Sequence, residues 1–327
     1  MFALVPGILQ VVSPTEPSVP FDVESPAYVA IRFVQFAAIT LLIGCVAFRL
    51  TVLPRFERSL GSGESKGDES VLRITAWLFG ALIVLTVAQG ARLAAQHRVY
   101  FEDGAWSMGT MRPILWQSGW GLAWLVAAGS ILAAFLAVVR IKRAQRFGWL
   151  LLTTALVVLS WTMAMSGHPA AAPTPRVAMA IDALHVIGAG GWVGSLFVMM
   201  FMAVPALLRS PEAEGHQRIA KLVVAFSPTA LVFASLLSVT GAFAGWRNVG
   251  SWSGLFHSDY GTLLLIKLAF VAVIAGLGAI NWQRVLPRLG QPSATRMLRR
   301  GAVIELTAAM AVLVVTAMLV ATAMPEM

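Results

Sequence analysis

The stretch VAMAIDALHVIGAGGWVGSLFVMMFMAVPAL, residues 177–207, is long and apolar enough to cross a bilayer. A helix needs about 20 mostly apolar residues to span the hydrocarbon core of a membrane. The stretch nevertheless carries Asp182 and His185, followed by four glycines between residues 188 and 194. Because an ionisable side chain is costly inside a membrane, such residues mark either a functional site or a structural polar cluster.

The whole chain shows the composition of a membrane protein. Its 327 residues are 58% hydrophobic and only 12% charged, whereas a soluble domain carries about 25% charged residues. The single cysteine, Cys45, excludes an intrachain disulfide and a cysteine-based metal motif. The sequence therefore predicts an all-α polytopic membrane helical bundle. Its eight transmembrane helices are predicted at residues 27–53, 71–95, 113–140, 147–167, 177–207, 219–245, 260–286 and 298–323.

Lysine and arginine are distributed unevenly between the predicted loops. The first, third, fifth and seventh loops between spans, with the span ends beside them, hold 17 of the 24 basic residues. The other side of the membrane holds six, among them Arg32, Arg92 and Arg247. The remaining one, Lys267, lies inside a span. Since basic residues collect in cytoplasmic loops, this bias predicts that both termini lie on the outer, periplasmic side. The net charge of +9 is then explained by topology, and no nucleic-acid partner is expected.

Composition divides the chain into three parts. Residues 1–26 contain five prolines and no basic start, so we expect an exposed N-terminal tail rather than a cleaved signal peptide. Residues 27–170 form an N-terminal four-helix half, and residues 171–327 form a C-terminal four-helix half. The Pro-rich segment HPAAAPTPR, residues 168–176, separates the two halves.

Side chains suited to copper gather near the predicted outer surface. Asp182 and His185 are three residues apart and share a helix face, about 8–12 Å below the outer end of their span. The preceding span ends beside them and carries methionine and histidine at the same spacing. Thioether favours Cu(I), whereas imidazole and carboxylate also accept Cu(II). The predicted metal ligands are His168, Asp182, His185, Met163, Met165 and Met179.

A structural interpretation of these residues stays open. Asp182 could form an ion pair with Lys267, which lies at a similar depth in the membrane, and His185 could make a buried hydrogen bond. Methionines are also ordinary core residues in membrane proteins.

Two further groups of residues are candidates for gating, structural or packing roles. Tyr260 and Lys267 lie near the outer mouth, whereas Asn281, Arg284 and Glu305 lie near the cytoplasmic end and could clamp two helices together. Small residues let another helix approach the backbone closely. The residues predicted to lie in such a helix contact are the small residues Gly188, Gly191 and Gly194, together with Trp192 on the same helix.

These residues belong to an ordered pattern of motifs: SGHPAAAPTP, IDALHVIGAGGWVGSLFVM, AFSPTALVFASLLSVTGAFAGW, SDYGTLLLIKLAFVAVIAGLGAINW and LRRGAVIELTAAMAVLVVTAMLVATAMP. The pattern covers about half the chain, from His168 to Pro325. It resembles the CopD family of copper-resistance inner-membrane proteins. By motif position the resemblance points to His168, Asp182, His185, Tyr260, Lys267, Asn281 and Glu305.

The resemblance implies copper transport and homeostasis at the cytoplasmic membrane, with copper as cargo, a contribution to copper resistance and a periplasmic CopC-like partner. Uptake is the expected direction. Two departures from the family pattern matter. Ser195 stands where the family has the second glycine of Trp-x-Gly-Gly, and Ala225 replaces an arginine before Phe226 and Ser227.

Two other functions stay open on the sequence. A haem-binding membrane electron carrier would need facing histidines, and only His185 lies clearly within a span. A non-transporting membrane partner or sensor of a periplasmic copper-binding protein is the other. The chain has no P-loop, so ATP-driven pumping by this chain alone is not expected. Transport rather than enzymatic activity is expected.

Overall fold

The computed structural model describes residues 26–61, 67–101, 105–141, 143–167, 174–209, 211–281, 283, 288 and 290–322. Residues 1–25 of the predicted tail, His168 and Arg284 lie outside these residues. Within them the chain forms helices and no strands. We number the helices α1 (Pro26–Leu60), α2 (Gly67–Phe101), α3 (Met108–Trp116), α4 (Gly119–Ile141), α5 (Gln145–Met165), α6 (Pro175–Leu207), α7 (Glu212–Val249), α8 (Trp252–His257), α9 (Asp259–Ile280) and α10 (Pro292–Ala321).

Eight helices in the described part of the chain are long and apolar enough to cross a membrane: α1, α2, α4, α5, α6, α7, α9 and α10. The prediction of an all-α bundle with eight transmembrane helices is therefore confirmed. One predicted boundary differs clearly, because the span expected to begin at residue 113 is interrupted. The chain turns at residues 117–118, and the Ser118 hydroxyl accepts a hydrogen bond from the Gly121 backbone at 2.9 Å as α4 begins.

Successive long helices run in alternating directions, so the bundle has two ends. The start of α1 meets the end of α2, where Gln35 donates to Gln89 at 2.5 Å. The start of α6 likewise meets the end of α7, where Asp182 contacts Arg247. We call the end of the bundle at which α1 begins the N-terminal face, and the other end the opposite face.

Helix α1 lies at the centre of the bundle. It packs against α2, α5, α6 and α10, and its side chains Ile39, Leu42 and Val52 are completely buried. Helix α9, in contrast, packs mainly against α10 and α8 and exposes most of its apolar surface. The two halves of the chain are thus joined through α1, which contacts helices from both.

In the described part of the chain, π-helical turns interrupt the spans α1 and α6. Residues 48–52 interrupt α1, and residues 190–194 and 199–203 interrupt α6. A π turn holds one more residue than an α turn, so it changes which side chains face each neighbour. In α6 the first π turn follows directly after the segment that carries Asp182 and His185.

Candidate functional site

Asp182 lies on α6 about 10 Å from the start of that helix. Its Oδ1 atom lies 3.6 Å from Nη2 of Arg247 near the end of α7. The Asp182 and Arg247 side chains are 30% and 18% exposed, so the ion pair is neither fully buried nor fully solvated. A contact of this length is longer than the 2.7–2.9 Å usual for a charge-assisted hydrogen bond.

Arg247 continues a polar chain toward α9. Its guanidinium donates to Oδ1 of Asn248 at 3.1 Å from Nε and 2.9 Å from Nη2. The Asn248 amide in turn donates to the Tyr260 hydroxyl at 2.7 Å. Nη1 of Arg247 is buried without a hydrogen-bond partner in the described residues. The arginine is therefore oriented through Asn248, while one of its nitrogens is left unsatisfied.

His185 lies one turn deeper than Asp182 and faces α7. Its Nδ1 atom lies 3.1 Å from the Thr240 hydroxyl, which is itself 2.6 Å from the Leu236 carbonyl. The imidazole packs on Gly241, where a Cβ would come within 2.9 Å of the ring. The absence of a side chain at residue 241 thus creates the space that the ring occupies.

Lys267 lies on α9 at a similar depth. It is close enough to interact electrostatically with both Asp182 and His185. The sequence suggested Lys267 as the ion-pair partner of Asp182, but among the described residues the direct partner is Arg247. Asp182 consequently faces two cations, one from α7 and one from α9.

The three methionines predicted as metal ligands lie on α5 and α6. Met163 is buried in the apolar core of the bundle, and Met165 and Met179 are partly exposed near the N-terminal face. Helices α5 and α6 pack directly on each other, so these methionines lie on neighbouring helices. Among the described residues, no group of three or more histidine, cysteine, aspartate and glutamate side chains could hold a metal ion.

The glycines of α6 face two different helices. Gly188 and Gly191 face α7, where a Cβ would meet Leu237 and the ring of Phe233. Gly194 faces α1, where a Cβ would overlap the Thr40 carbonyl oxygen. Trp192, which is partly buried, packs against α9 and α10 instead. The glycine-rich segment thus brings α6 against α7 and α1 at once.

A second polar pair lies near the opposite face. Nδ2 of Asn281, at the end of α9, donates to Oε1 of Glu305 on α10 at 2.6 Å. Glu305 is buried, and Gly301 packs directly on the Asn281 amide. Asn281 and Glu305 therefore connect α9 with α10, in the position where the sequence suggested a clamp.

Replacing Asn281 with alanine is expected to destabilise the protein by about 1–3 kcal/mol, because Glu305 stays buried without its amide donor. Glu305→Gln serves as the matched control, since its amide oxygen still accepts the hydrogen bond. Thermal unfolding of the detergent-purified variants measures the difference. An equal loss of stability in both variants would contradict the clamp.

An apolar layer separates the two polar sites. It consists of Ile274, Ala308 and Ala309, with the partly buried Trp192, Val193, Phe270 and Val312 packed against them. Along α9 this layer falls between Lys267 and Asn281, which are separated by about 21 Å of helix. The bundle thus carries polar groups near each face and apolar side chains between them.

Sequence reasoning missed several residues of the site. Arg247 was assigned to a loop because it lies near a predicted span end, whereas it lies in the last turn of α7. Thr240 and Asn248 gave no signal, because single neutral polar residues are common in membrane helices. The spacing of Thr240 and Arg247, seven residues apart and hence on one helix face, is the pattern that could have pointed to them.

Comparison with known families gives two matches on this chain. The family model described as Copper resistance protein D matches residues 220–319. A second model, Copper resistance protein D-like, N-terminal domain, matches residues 22–175. The N-terminal match was not evident from the sequence motifs, which resembled the family only in the C-terminal half. Asp182 and His185 lie between the two matched segments, whereas Thr240, Arg247 and Lys267 lie inside the segment 220–319.

Two curated relatives are similar along most of the chain. Copper resistance protein D of Pseudomonas syringae pv. tomato is 27% identical over 318 residues, which cover 93% of this chain and 98% of the relative. Copper transport protein CutJ of Bacillus subtilis (strain 168) is 26% identical over 265 residues. These cover 79% of this chain but only 46% of that longer protein. No solved structure matches this chain.

The two family matches are complementary, since one covers the N-terminal half and the other most of the C-terminal half. They agree with the ordered motifs, the eight membrane-spanning helices and the names of both relatives. The chain is a multi-pass membrane protein that belongs to the copper resistance protein D family.

Proposed function

We propose that this protein transports copper across the cytoplasmic membrane, and that Asp182 and His185 receive the ion near the N-terminal face. The observation that carries the proposal is the 3.6 Å contact between Asp182 and Arg247, with Lys267 also close to the carboxylate. A carboxylate held by exchangeable cationic side chains can release them when a metal cation arrives. The family membership makes copper the cation to test.

The surroundings of His185 suit a metal ligand. A histidine that binds a metal through one ring nitrogen is commonly oriented by a hydrogen bond at the other. Thr240 lies 3.1 Å from Nδ1, so Nε2 is the nitrogen that we assign to copper. Together with a carboxylate oxygen of Asp182, imidazole would bind Cu(II), and Met165 or Met179 would add the thioether that Cu(I) prefers.

We further propose that the N-terminal face is periplasmic, with both termini on that side of the inner membrane. The excess of basic residues in the odd-numbered loops supports this orientation. A periplasmic CopC-like protein would then deliver copper to the side at which Asp182 lies, and transport would run inward. Copper resistance and homeostasis would follow from controlled movement of the ion at this membrane.

The copper site is tested by equilibrium binding of Cu(I) and Cu(II) to the detergent-purified full chain. Asp182→Asn and His185→Gln are expected to weaken binding by about tenfold or more, because each removes one ligand atom, and a tenfold change is about 1.4 kcal/mol. Asp259→Asn and His257→Gln are matched controls, since both residues are exposed at the same face. Both controls are expected to bind copper like the parent.

The same four variants in proteoliposomes test transport. Copper accumulation that depends on Asp182 and His185 supports the proposal. Tight copper binding without any accumulation would instead favour a membrane partner or sensor. Parent-like binding by both site variants would show that the site is wrongly assigned.

A further inference from the structure

A second polar cluster lies inside the N-terminal half, between α1 and α2. It contains Arg32 and Gln35 on α1 and Gln89 and Arg92 on α2. All four side chains are at least nine-tenths buried, and Arg32 and Arg92 are only 2% and 3% exposed. Long basic side chains near a membrane surface usually extend toward the lipid headgroups. These two arginines point into the bundle instead.

Hydrogen bonds link the cluster into one unit. Nη1 of Arg32 donates to Oε1 of Gln35 at 2.9 Å, and Nε2 of Gln35 donates to Oε1 of Gln89 at 2.5 Å. Nη2 of Arg92 lies 3.4 Å from the Ser166 carbonyl oxygen at the end of α5. The guanidinium of Arg92 also lies 5.2 Å from the ring centre of Trp120. The cluster is thus held by four helices: α1, α2, α4 and α5.

The cluster has an excess of positive charge. Arg32 and Arg92 are close enough to repel each other electrostatically, and Tyr28 lies beside them with its hydroxyl hydrogen-bonded to Arg92. Within the described part of the chain, neither arginine forms an ion pair with a carboxylate. Burying two cations together is costly unless an opposite charge compensates them.

The unsatisfied hydrogen-bonding atoms of the cluster are all of one kind. Buried nitrogens without a partner among the described residues are Nε of Arg32, Nε of Arg92, Nε2 of Gln89 and Nε1 of Trp120. Each is a donor, whereas the side-chain oxygens of Gln35 and Gln89 accept hydrogen bonds from Arg32 and Gln35. Buried polar groups in folded proteins are rarely left unpaired. Within the described residues, these four donors therefore lack an acceptor, and neither guanidinium has a carboxylate partner.

We propose that Arg32 and Arg92 form a binding site for a small inorganic anion of about the size of chloride. The near-complete burial of both side chains favours an ion that enters the bundle over a lipid phosphate that stays at its surface. Gln89 supplies an amide donor, and the anion neutralises the charge that the two guanidinium groups share. This site is separate from the Asp182 and His185 site and does not depend on it.

The test is thermal unfolding of the detergent-purified full chain in sodium chloride and in sodium gluconate at equal ionic strength. Gluconate is an organic anion much larger than chloride and serves as the reference. Chloride is expected to raise the Tm of the parent by about 3 °C or more, with saturation, because a ligand bound only to the folded state stabilises it. Arg32→Gln and Arg92→Gln are expected to lose this dependence. Arg98→Gln, which changes an exposed arginine on α2, is expected to keep it.

The gluconate arm separates anion binding from a structural role. If the arginines repel each other without an anion, each glutamine variant is at least as stable in gluconate as the parent. An equal loss of stability in both salts would overturn the proposal, as would a parent that shows no chloride dependence. Saturable equilibrium binding of radioactive chloride to the parent provides a readout that needs no variant, and its absence would also overturn the site.

Stabilisation by anionic lipid in nanodiscs, without any effect of chloride, would assign the arginines to a headgroup phosphate and overturn the proposal.

Discussion

Arg247→Gln is expected to tighten copper binding rather than weaken it. The guanidinium lies 3.6 Å from the Asp182 carboxylate, so a metal cation must displace it or bind against its charge. Removing that competition at a partly exposed site is worth about 2–3 kcal/mol, or roughly 30- to 150-fold in affinity. Glutamine also removes the buried Nη1 atom that has no partner in the described residues.

The sign of this effect discriminates between the two interpretations of the ion pair. If Arg247 is only a structural partner, its loss leaves Asp182 uncompensated and lowers stability without any gain in affinity. Arg176→Gln is the matched control, since Arg176 is an exposed arginine at the start of α6. Equilibrium copper titration of the three proteins gives the comparison. Weaker copper binding by Arg247→Gln would contradict exchange of the cation at Asp182.

Gly194→Leu is expected to prevent assembly of the bundle. A Cβ at residue 194 would overlap the Thr40 carbonyl oxygen, and one at Gly44 would overlap the Gly194 backbone. Backbone cannot move aside as a flexible side chain can, so α1 and α6 would have to separate. Overpacking of a close contact costs about 1–3 kcal/mol or more, and α1 contacts helices from both halves. The yield of monodisperse protein in size-exclusion chromatography measures the loss.

Gly80→Leu is the control for this experiment. Gly80 lies on α2, is exposed and has open space where a Cβ would stand. A leucine there adds the same volume without any overlap, so the variant is expected to purify like the parent. Similar losses from both substitutions would show that close packing at residue 194 is not what holds α1 against α6.

The number and approximate positions of the spans could be predicted because both follow from local composition. A helix that crosses a membrane must be apolar over about 20 residues, whatever its neighbours are. The shared face of Asp182 and His185 likewise follows from a spacing of three residues. The π turn at residues 190–194 could not be predicted, because it depends on how α6 fits between α1 and α7.

The direction in which three arginine side chains point is the clearest feature that could not be predicted from the sequence. Arg32, Arg92 and Arg247 were counted as topology signals because each lies near the end of a predicted span. Whether such a side chain extends to the membrane surface or turns into the bundle is decided by the helices around it. Arg32 and Arg92 turn inward against the other helices, and Arg247 turns toward Asp182.

The apolar layer around Ile274, Ala308 and Ala309 affects the passage of ions through the bundle. A layer of such side chains is a poor solvent for ions, since an unpaired charge without water costs many kcal/mol. In this conformation protons and alkali cations therefore meet an insulating barrier between Lys267 and Asn281. Between α6, α9 and α10, the layer therefore opposes leakage of ions driven by the membrane voltage.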